Sequence, residues 1–382
     1  MTRIYCDNAA TTATRPEVVE AMLPLLGGGF NPSSLHAEGR AARAALDSAR
    51  ETVAQVLGAS PREIVFTGSG SEADVLAVVG VARARADRGR HLVTTAIEHP
   101  AVMRAAELLA VDGWQVTRVP VDPDGLVDPR VFADALTAQT TVASVMLANT
   151  EIGVIEPVAK LARIARERGV LFHTDAVQAA GWLPLGVDAL EVDLLTLSAH
   201  KFCGPKGIGM LYVRRGTPLE PLIVGGGQEH GLRAGTENVA AITGLATALR
   251  LADSERAGAA PRVAALRDRL QAAILASIPG VVVNAARAPR LPGILSIAFA
   301  GVASDLLLVR LDLEGIAASA GSACAAGSLE PSHVSLALGL DDRFRRGVIR
   351  FSLGRSTTEP EVDEIARRLP ALIAAVRTPL AV

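Results

Sequence analysis

Between Ile64 and Val213 the chain alternates short β-rich runs with longer helical stretches, and this alternation strongly constrains its fold. The helical stretches include Ser71–Ala86 and Val158–Arg168. Parallel strands need crossover helices, so the pattern predicts an α/β domain with a mainly parallel sheet covered on both faces. Functional loops are then expected at the carboxyl ends of the strands. The predicted strands are Ile64–Thr67, His91–Thr95, Gln115–Val119, Thr141–Leu147, Val170–His173, Leu194–Leu197 and Gly209–Val213.

The pattern changes after the glycine run Gly225–Gly227. A long helical stretch, from about Asn238 to Ser277, leads into shorter strands and helices, which is typical of a smaller α+β domain. We therefore predict a large α/β domain over residues 30–250. The small α+β domain is predicted over residues 251–382, together with the N-terminal segment 1–29.

Composition excludes several classes of function. The net charge is −2 and the pI is near 6.4, so we expect no direct nucleic-acid partner. No stretch approaches the ~18 apolar residues of a membrane span, so no membrane association is expected. The three cysteines have neither metal-ligand spacing nor the number for a disulfide framework, which predicts no metal and a reducing, cytoplasmic location.

Lysine is scarce, which makes the position of each lysine informative. The chain has lysine only at positions 160, 201 and 206, and two of these lie in the segment Ser198–Gly207. Just upstream, Asp175 ends a strand-like run. A strand-end carboxylate can keep a pyridine nitrogen protonated, and a lysine in a Ser-x-His turn can form a Schiff base, so the pair predicts a pyridoxal 5'-phosphate (PLP) site. The alternative is a solvated loop lysine near an unrelated aspartate.

Two further loops follow predicted strands. Gly68–Glu72 opens a helix with small residues, and amides at a helix N-terminus readily bind phosphate. The simpler interpretation is a turn in which Ser71 is the N-cap, and this is compatible with phosphate binding. His99 follows the strand that ends at Thr95, where it can stack on a planar cofactor and move protons, although a lone loop histidine is often only a surface group.

Cys324 lies in a run of small residues, Ala317–Ser328, which has no side chain able to pack a core. Such a segment predicts an exposed, mobile thiol suited to nucleophilic transfer. Cys6 and Cys203 have bulky neighbours and are predicted to be inert buried residues.

Arg350 lies within the apolar run Val348–Ser352, where a buried charge is costly unless it is paired. A substrate carboxylate would satisfy it by a bidentate contact. The alternative is an internal salt bridge.

Taken together, short motifs spread over nearly the whole chain resemble those of the class V aminotransferase-type cysteine desulfurases of the NifS/IscS family. The family implies fold type I of the PLP-dependent transferases. Its activity converts L-cysteine to L-alanine and leaves the sulfur as a persulfide on a protein cysteine. The motifs that carry the resemblance are Asp7–Thr12, Asn31–His36, Arg62–Thr67, Glu98-His99, Asn149–Gly153, His173–Asp175, Ser198–Lys201, Gly225–Gly227, Arg233–Thr236, Gly321–Cys324 and Arg350–Arg355.

The resemblance assigns a role to each matching position. Lys201 matches the Schiff-base lysine, Asp175 the partner of the pyridine nitrogen, and Cys324 the thiol that accepts the sulfur. Gln178 matches the residue that reaches the phenolic oxygen, and His99 the residue that stacks on the ring. The remaining expected contacts are to the phosphate from Gly70, Ser71, Ser198 and His200, to a neighbouring subunit's phosphate from Thr236, and to the substrate from Arg350, Asn149 and Asn31.

The resemblance also implies a homodimer and a sulfur-acceptor protein, either an iron–sulfur scaffold or a thiolation enzyme. The chain departs from the family at Thr150 and Val75, where asparagine is usual, and at Gly70-Ser71, where Ala-Thr is usual. Two alternatives stay open. One is a selenocysteine lyase or another transaminase-like PLP enzyme, and the other is a non-catalytic sulfur carrier or assembly partner.

Overall fold

The computed structural model describes residues 3–28, 31–321 and 331–377. The strands in this part of the chain are β1 (Ile4–Tyr5), β2 (Ile64–Thr67), β3 (His91–Thr95), β4 (Gln115–Val119), β5 (Thr140–Ser144), β6 (Leu171–Asp175), β7 (Leu194–Ser198), β8 (Gly209–Val213), β9 (Val281–Val283), β10 (Ile294–Phe299), β11 (Ile316–Ala317) and β12 (Val348–Ser352). The α-helices are α1 (Pro16–Met22), α2 (Ala37–Leu57), α3 (Gly70–Ala84), α4 (Pro100–Val111), α5 (Pro129–Ala135), α6 (Val158–Glu167), α7 (Val187–Leu190), α8 (Val239–Ser277), α9 (Ser304–Leu313), α10 (His333–Ala337), α11 (Asp342–Arg345) and α12 (Glu359–Val376).

The central sheet has seven strands in the order β2-β8-β7-β6-β5-β3-β4. Its pairings are parallel from β7 across to β4, while β8 runs antiparallel to both of its neighbours. The prediction of a mainly parallel α/β sheet is therefore confirmed. The register pairs Asp175 with Thr196 and Ser198 with Gly209, so the ends of β6 and β7 lie side by side at one edge. Functional side chains at these two strand ends are thus neighbours.

Helices cover both faces of this sheet, as buried strands require. Along β2, Ile64 and Phe66 join one hydrophobic cluster and Val65 joins the other, because alternate side chains point to opposite faces. The first cluster contains the buried faces of α2, α6 and the start of α8, and the second contains those of α3 and α4. The strands are buried on both sides, which explains their continuous apolar sequences.

A smaller antiparallel sheet has the order β12-β10-β9, and β1 pairs in parallel with β11 beside it. Its hydrophobic cluster includes Ile4 and Cys6 from the N-terminus, residues of α9 and α12, and the second half of α8. The chain's two ends therefore share one core. Arg350 lies in the middle of β12 and pairs with Ser296 of β10.

Helix α8 belongs to both cores, because Leu245 and Leu249 pack in the large cluster while Leu266 and Leu270 pack in the small one. Helix α1 packs against α8, and its Val18 belongs to the large cluster. Thus only the first residues of the N-terminal segment join the small core. The predicted domain boundary near residue 250 falls inside α8, and the boundaries remain a prediction. Within the described residues, no helix is both long and apolar enough to cross a lipid bilayer.

Candidate active site

A cavity of about 240 Å³ lies where the ends of β6 and β7 meet the start of α3, the N-terminal segment and β12. The wall thus combines loops of the large sheet with one residue from the small sheet. The predicted site residues that line it are Gly70, Ser71, His99, Asp175, Gln178, Ser198, His200, Lys201 and Arg350. The fold therefore brings residues that are far apart in sequence together around one cavity. This cavity lies at the carboxyl ends of the strands, where functional loops were expected.

The N-terminus of α3 forms one end of the cavity. Ser69, rather than Ser71, is the N-cap, since its side chain accepts a hydrogen bond from the Glu72 amide at 3.1 Å. The amides of Gly70 and Ser71 belong to the first turn, which a helix leaves without intrahelical acceptors. A Cβ on Gly70 would lie 3.0 Å from Cβ of Ser198, so glycine is what allows β7 to approach this closely. The arrangement suits an anionic phosphate.

His200 lies at the same end, and its Nδ1 is 3.1 Å from the Thr11 hydroxyl. Burial lowers the pKa of His200 to about 4, and the neighbouring Lys201 acts in the same direction. The imidazole is therefore neutral at pH 7. It offers a hydrogen bond to a ligand rather than a positive charge.

Lys201 lies in the short 3₁₀ turn Ala199–Lys201 that follows β7. Its ammonium donates hydrogen bonds to the carbonyls of Ala9 and Ala10, the latter at 2.8 Å. The N-terminal segment thus holds the amine at the cavity. The same segment is anchored to this turn, because the Thr12 amide and hydroxyl both donate to the His200 carbonyl.

Asp175 ends β6 and is buried, with one carboxylate oxygen accepting the Val177 amide at 2.9 Å. Burial raises its pKa, while the hydrogen bond from the Val177 amide and electrostatic interactions with His99 and Lys201 act in the opposite direction. A second buried acid, Asp74 of α3, also lines the cavity, and no hydrogen-bond partner of its Oδ1 is found among the described residues. Burial and the Asp175 charge both raise the pKa of Asp74. The positive charge of a pyridinium ring would reduce the electrostatic repulsion between Asp74 and Asp175.

Sequence reasoning missed Asp74, although its position contains a usable signal. It lies one helical turn after Gly70, so it shares a face of α3 with the phosphate end. Ligand atoms of Asp74, Asp175 and His99 lie within 4.8 Å of one another, a spacing that also fits a metal ion. We assign the cluster to a cationic ring because Lys201 and the helix N-terminus adjoin it in the same cavity.

His99 is the N-cap of α4, and its Nδ1 accepts the Ala101 amide at 3.1 Å. This contact fixes the ring orientation and leaves Nε2 for other partners. The preceding residue, Glu98, is buried and accepts hydrogen bonds from the Thr95 hydroxyl and the Met146 amide. His99 is thus placed by a rigid strand end, as predicted.

Gln178 contacts Thr150, one of the positions that depart from the motifs the chain resembles. Its side-chain amide donates to the Ala9 carbonyl and to the Thr150 hydroxyl, each at 2.8 Å. Thr150 lines the cavity, whereas Asn149 is fully buried and is not among the lining residues of the described chain. Asn149 donates to the Ile97 carbonyl and accepts the amides of Glu151 and Ile152. The turn therefore uses the Asn149 side chain, and its expected substrate contact stays a prediction.

Arg350 is 1% exposed and also lines the cavity. One terminal nitrogen lies 2.7 Å from Oδ1 of Asp7, and the other donates to the Thr150 carbonyl at 3.0 Å. The internal salt bridge considered as the alternative is therefore present. It coexists with a position on the cavity wall, so the two interpretations of Arg350 do not exclude each other.

Three other predicted positions lie elsewhere. Thr236 is exposed and is not on the cavity wall, which leaves its predicted contact with a partner subunit a prediction. Asn31 is exposed, and its side chain accepts the Ser33 amide at 2.9 Å. This turn, rather than the cavity, uses the Asn31 side chain. Cys324 lies outside the described residues.

The two remaining cysteines differ from each other. Cys6 is buried as predicted, and burial raises its pKa to about 12. The prediction was wrong for Cys203, which is half-buried and has a left-handed backbone with φ of 66°. Cys203 lines a larger adjoining cavity of about 580 Å³, which shares Lys201 and Gln178 with the first.

The residues present fit PLP. The cofactor needs an amine for its aldehyde carbon, a carboxylate for its ring nitrogen and donors for its phosphate. Lys201, Asp175 and the first turn of α3 supply these groups around one cavity. Asp74 lines the same cavity, and its Oδ1 atom, which lies 3.7 Å from Nε2 of His173, accepts no hydrogen bond from the described residues.

Comparisons with known proteins give a consistent result. The family model described as Aminotransferase class-V matches residues 4–365. The chain is 46% identical over 376 residues to the cysteine desulfurase IscS of Dictyoglomus turgidum, covering 98% of this chain and 95% of that protein. It is 44% identical over 379 residues to the cysteine desulfurase NifS of Azotobacter vinelandii, covering 99% and 94%. A solved NifS-like protein superposes with a TM-score of 0.92 at 38% identity, covering 98% of this chain and 100% of the other.

Proposed function

The chain belongs to the cysteine desulfurases of the class-V aminotransferase family, and from this premise we propose that it binds PLP in the 240 Å³ cavity and passes the sulfur of L-cysteine to Cys324. The observation that carries the proposal is the convergence of Lys201, Asp175 and the α3 N-terminus on one cavity. These groups match the aldehyde, the ring nitrogen and the phosphate of the cofactor.

When bound, PLP supplies an electron sink that weakens bonds at the substrate α-carbon. Asp175 would hold the ring nitrogen protonated, and Asp74 lines the same cavity. Gly70, Ser71, Ser198 and His200 would hold the phosphate. His200 would do so as a neutral donor, because its pKa is lowered to about 4.

The remaining wall residues would position the amino acid and move its protons. Lys201 would carry a proton between the α- and β-carbons, because it lies on the wall beside His99. Arg350 would bind the substrate carboxylate through N–H groups not used by Asp7 and Thr150. Gln178, held by Thr150, would face the phenolic oxygen. These contacts would orient cysteine with its sulfur directed away from the ring.

The sulfur-transfer step forms one bond and breaks one. The Cys324 thiolate would attack the substrate sulfur and form an S–S bond, while the C–S electron pair stays with the β-carbon. That carbon then takes a proton and becomes the methyl group of alanine. No external oxidant is needed, because the substrate carbon is reduced as the sulfur is oxidised.

A homodimer and an acceptor protein complete the proposal. Thr236 lies on an exposed segment, and the described surface exposes Leu35 at 90% and Val224 at 78%. The homodimer itself follows from the family, in which Thr236 matches a residue that reaches the neighbouring subunit's phosphate, and the partner subunit would cover these exposed residues. A sulfur acceptor, such as an iron–sulfur scaffold or a thiolation enzyme, would then receive the persulfide in a cytoplasmic setting.

Replacing the lysine tests the cofactor assignment. The Lys201→Ala variant should lose the visible absorbance band of lysine-bound PLP and should produce no alanine from cysteine. Lys206→Ala is the matched control, because this exposed lysine lies in the same turn region but not on the cavity wall. Full turnover by Lys201→Ala, with an unchanged absorbance band, would contradict the assignment.

Replacing the thiols tests the sulfur-transfer step and the alternative functions. Cys324→Ser should still bind cysteine, as a spectral change shows, but should stop alanine and sulfide production. Cys6→Ser and Cys203→Ser should retain nearly full turnover. A selenocysteine lyase would keep its activity on selenocysteine after Cys324→Ser, and a non-catalytic carrier would make no alanine even as the wild type. Loss of turnover in Cys203→Ser with retention in Cys324→Ser would move the nucleophile to the thiol beside Lys201.

A further inference from the structure

The guanidinium of Arg350 serves two regions of the molecule. It lines the cavity, and it also bonds Asp7, a residue of the N-terminal segment that precedes Arg350 by 343 positions. The Arg350 side chain is 1% exposed and that of Asp7 is 21% exposed. Arg350 is therefore a buried cation whose charge is already balanced by a carboxylate of the protein itself.

Asp7 bonds this cation from outside the cavity. It is not among the described residues that line the cavity, whereas Arg350 and Thr150 are. A ligand carboxylate in the cavity could thus reach the guanidinium without displacing Asp7. The carboxylates of Asp7 and of the ligand would then share one positive charge. Because both would contact the same guanidinium, the repulsion between them would be substantial.

Glu151 is another acid that interacts electrostatically with Arg350. It is buried, and its carboxyl bonds the Ser332 hydroxyl. Burial raises the pKa of Glu151, which favours its neutral form, although the charges of His333 and Arg350 act in the opposite direction. The Tyr5 phenol also interacts electrostatically with Arg350, and burial raises the pKa of Tyr5. Asp7, which makes the direct ion pair, is therefore the acid best placed to oppose a bound carboxylate.

We propose that Asp7 is an affinity-determining residue, whose carboxylate shares Arg350 with the amino acid and so weakens binding of both substrate and product. The inference rests on the proposed function, in which Arg350 binds the substrate carboxylate. Cysteine and alanine carry the same carboxylate, so a site that held it very tightly would retain the product. Asp7 would therefore promote release of alanine at the cost of a weaker hold on cysteine.

The side chain of Asp7 allows its charge to be separated from its hydrogen bond. Asp7→Asn keeps an oxygen that can accept from Arg350 but removes the negative charge. Binding of propionate, an unreactive carboxylate probe, should be measured by calorimetry on the cofactor-loaded protein. The dissociation constant should fall by roughly 5- to 30-fold, because the guanidinium is then left for the ligand alone.

Thermal unfolding gives a second readout that is independent of turnover. Without propionate, Asp7→Asn should melt at a lower temperature than the wild type, because a buried cation has lost its balancing charge. Saturating propionate should raise the Tm of this variant more than it raises the wild-type Tm. Asp312→Asn is the matched control, because it removes an aspartate that pairs with an exposed arginine, Arg3, and should change neither measurement.

The outcomes separate this inference from the proposed function. Propionate binding that is unchanged or weaker in Asp7→Asn would overturn the inference, and Asp7 would then only position the guanidinium. Arg350→Gln should lose propionate binding if the proposed function is correct. If Arg350→Gln binds propionate as the wild type does, the substrate-site assignment fails, and the Asp7 inference fails with it.

Discussion

The cofactor end and the carboxylate end of the cavity are built in different ways. At the cofactor end, Asp175, Ser198 and Lys201 follow directly from the ends of two neighbouring strands, β6 and β7. At the carboxylate end, Arg350 lies in the middle of a strand of the small sheet and is held by Asp7. The first end depends on turns and helix caps, and the second depends on a long-range ion pair.

This difference separates what local sequence determines from what packing determines. A residue at a strand end is positioned by its own strand and turn, so its neighbours in sequence reveal its role. A charged residue inside a strand must be balanced by a partner that packing supplies, and that partner can come from anywhere in the chain. Mutations at the two ends should therefore have different signatures in activity and stability.

The largest effect is expected at the cofactor end. Asp175→Asn should lower the turnover number by roughly 100- to 1000-fold, because it removes the charge that keeps the ring nitrogen protonated. The Tm of the cofactor-free protein should not fall, since the charge of Asp175 raises the pKa of the buried Asp74 and its removal relieves that repulsion. Asp193→Asn, at the opposite end of the large sheet, should retain turnover. An unchanged turnover number in Asp175→Asn would make this acid purely structural.

A smaller effect, and mainly on KM, is expected at the carboxylate end. Arg350→Gln should raise KM for cysteine by about 10- to 150-fold, the value of a lost guanidinium–carboxylate contact. Arg50→Gln provides the comparison, because Arg50 is also a buried arginine with an acidic partner, Glu229, at 2.7 Å. Unlike Arg350, it does not line the cavity. Arg50→Gln should lower the Tm and leave KM unchanged. If Arg350→Gln behaves in the same way, the ion pair with Asp7 is its whole role.

The smallest effect on turnover is expected from Glu98, the residue before His99, where a substitution should act on stability instead. Burial raises the pKa of Glu98 to about 8, from an ordinary value of 4.5. The folded protein then holds a proton that the unfolded chain releases, so the free energy of unfolding should fall as pH rises from 4.5 to about 8 and level off above that. One such group contributes a slope of at most about 1.4 kcal/mol per pH unit.

Denaturant unfolding across this pH range checks the prediction. Glu98→Gln should reduce the slope, and Glu156→Gln should reduce it independently, since burial also raises the pKa of Glu156 to about 8. Glu20→Gln, on the surface of α1, should leave the slope unchanged. A slope that is identical in wild type and Glu98→Gln would mean that Glu98 is ionised in the folded protein at neutral pH.

Much of the fold and most of the cofactor end could be predicted from sequence. The bounds of β2, β3, β4 and β8 agree with the prediction, because apolar runs between turn residues define buried strands. Strand β5 ends at Ser144 rather than Leu147, because regular pairing with β6 stops there. The Val145 amide still donates a hydrogen bond to the His173 carbonyl beyond this end. Lys201 and Asp175 were predictable because their turns and strand ends are local features.

The remaining features depend on contacts that no local pattern encodes. Asp7 and Arg350 are distant in sequence, so their ion pair follows only from the N-terminal segment packing beside β12. Thr150 rather than Asn149 lies on the cavity wall, because the Asn149 side chain closes the turn by accepting the Glu151 amide while Thr150 contacts Gln178. The cap of α3 fell on Ser69 rather than Ser71, two residues apart, because both are suitable capping residues.

Helix α8 has a consequence for how the molecule unfolds. It contains 39 residues with Pro261 in its interior, so its length along the chain is roughly 58 Å, and it ends in a different core from the one in which it starts. Melting either core would expose one half of this helix and remove the packing that stabilises it. The two cores should therefore unfold in a single cooperative transition. A chain cut near residue 250 would yield two fragments, each with an incomplete helix and an unstable core.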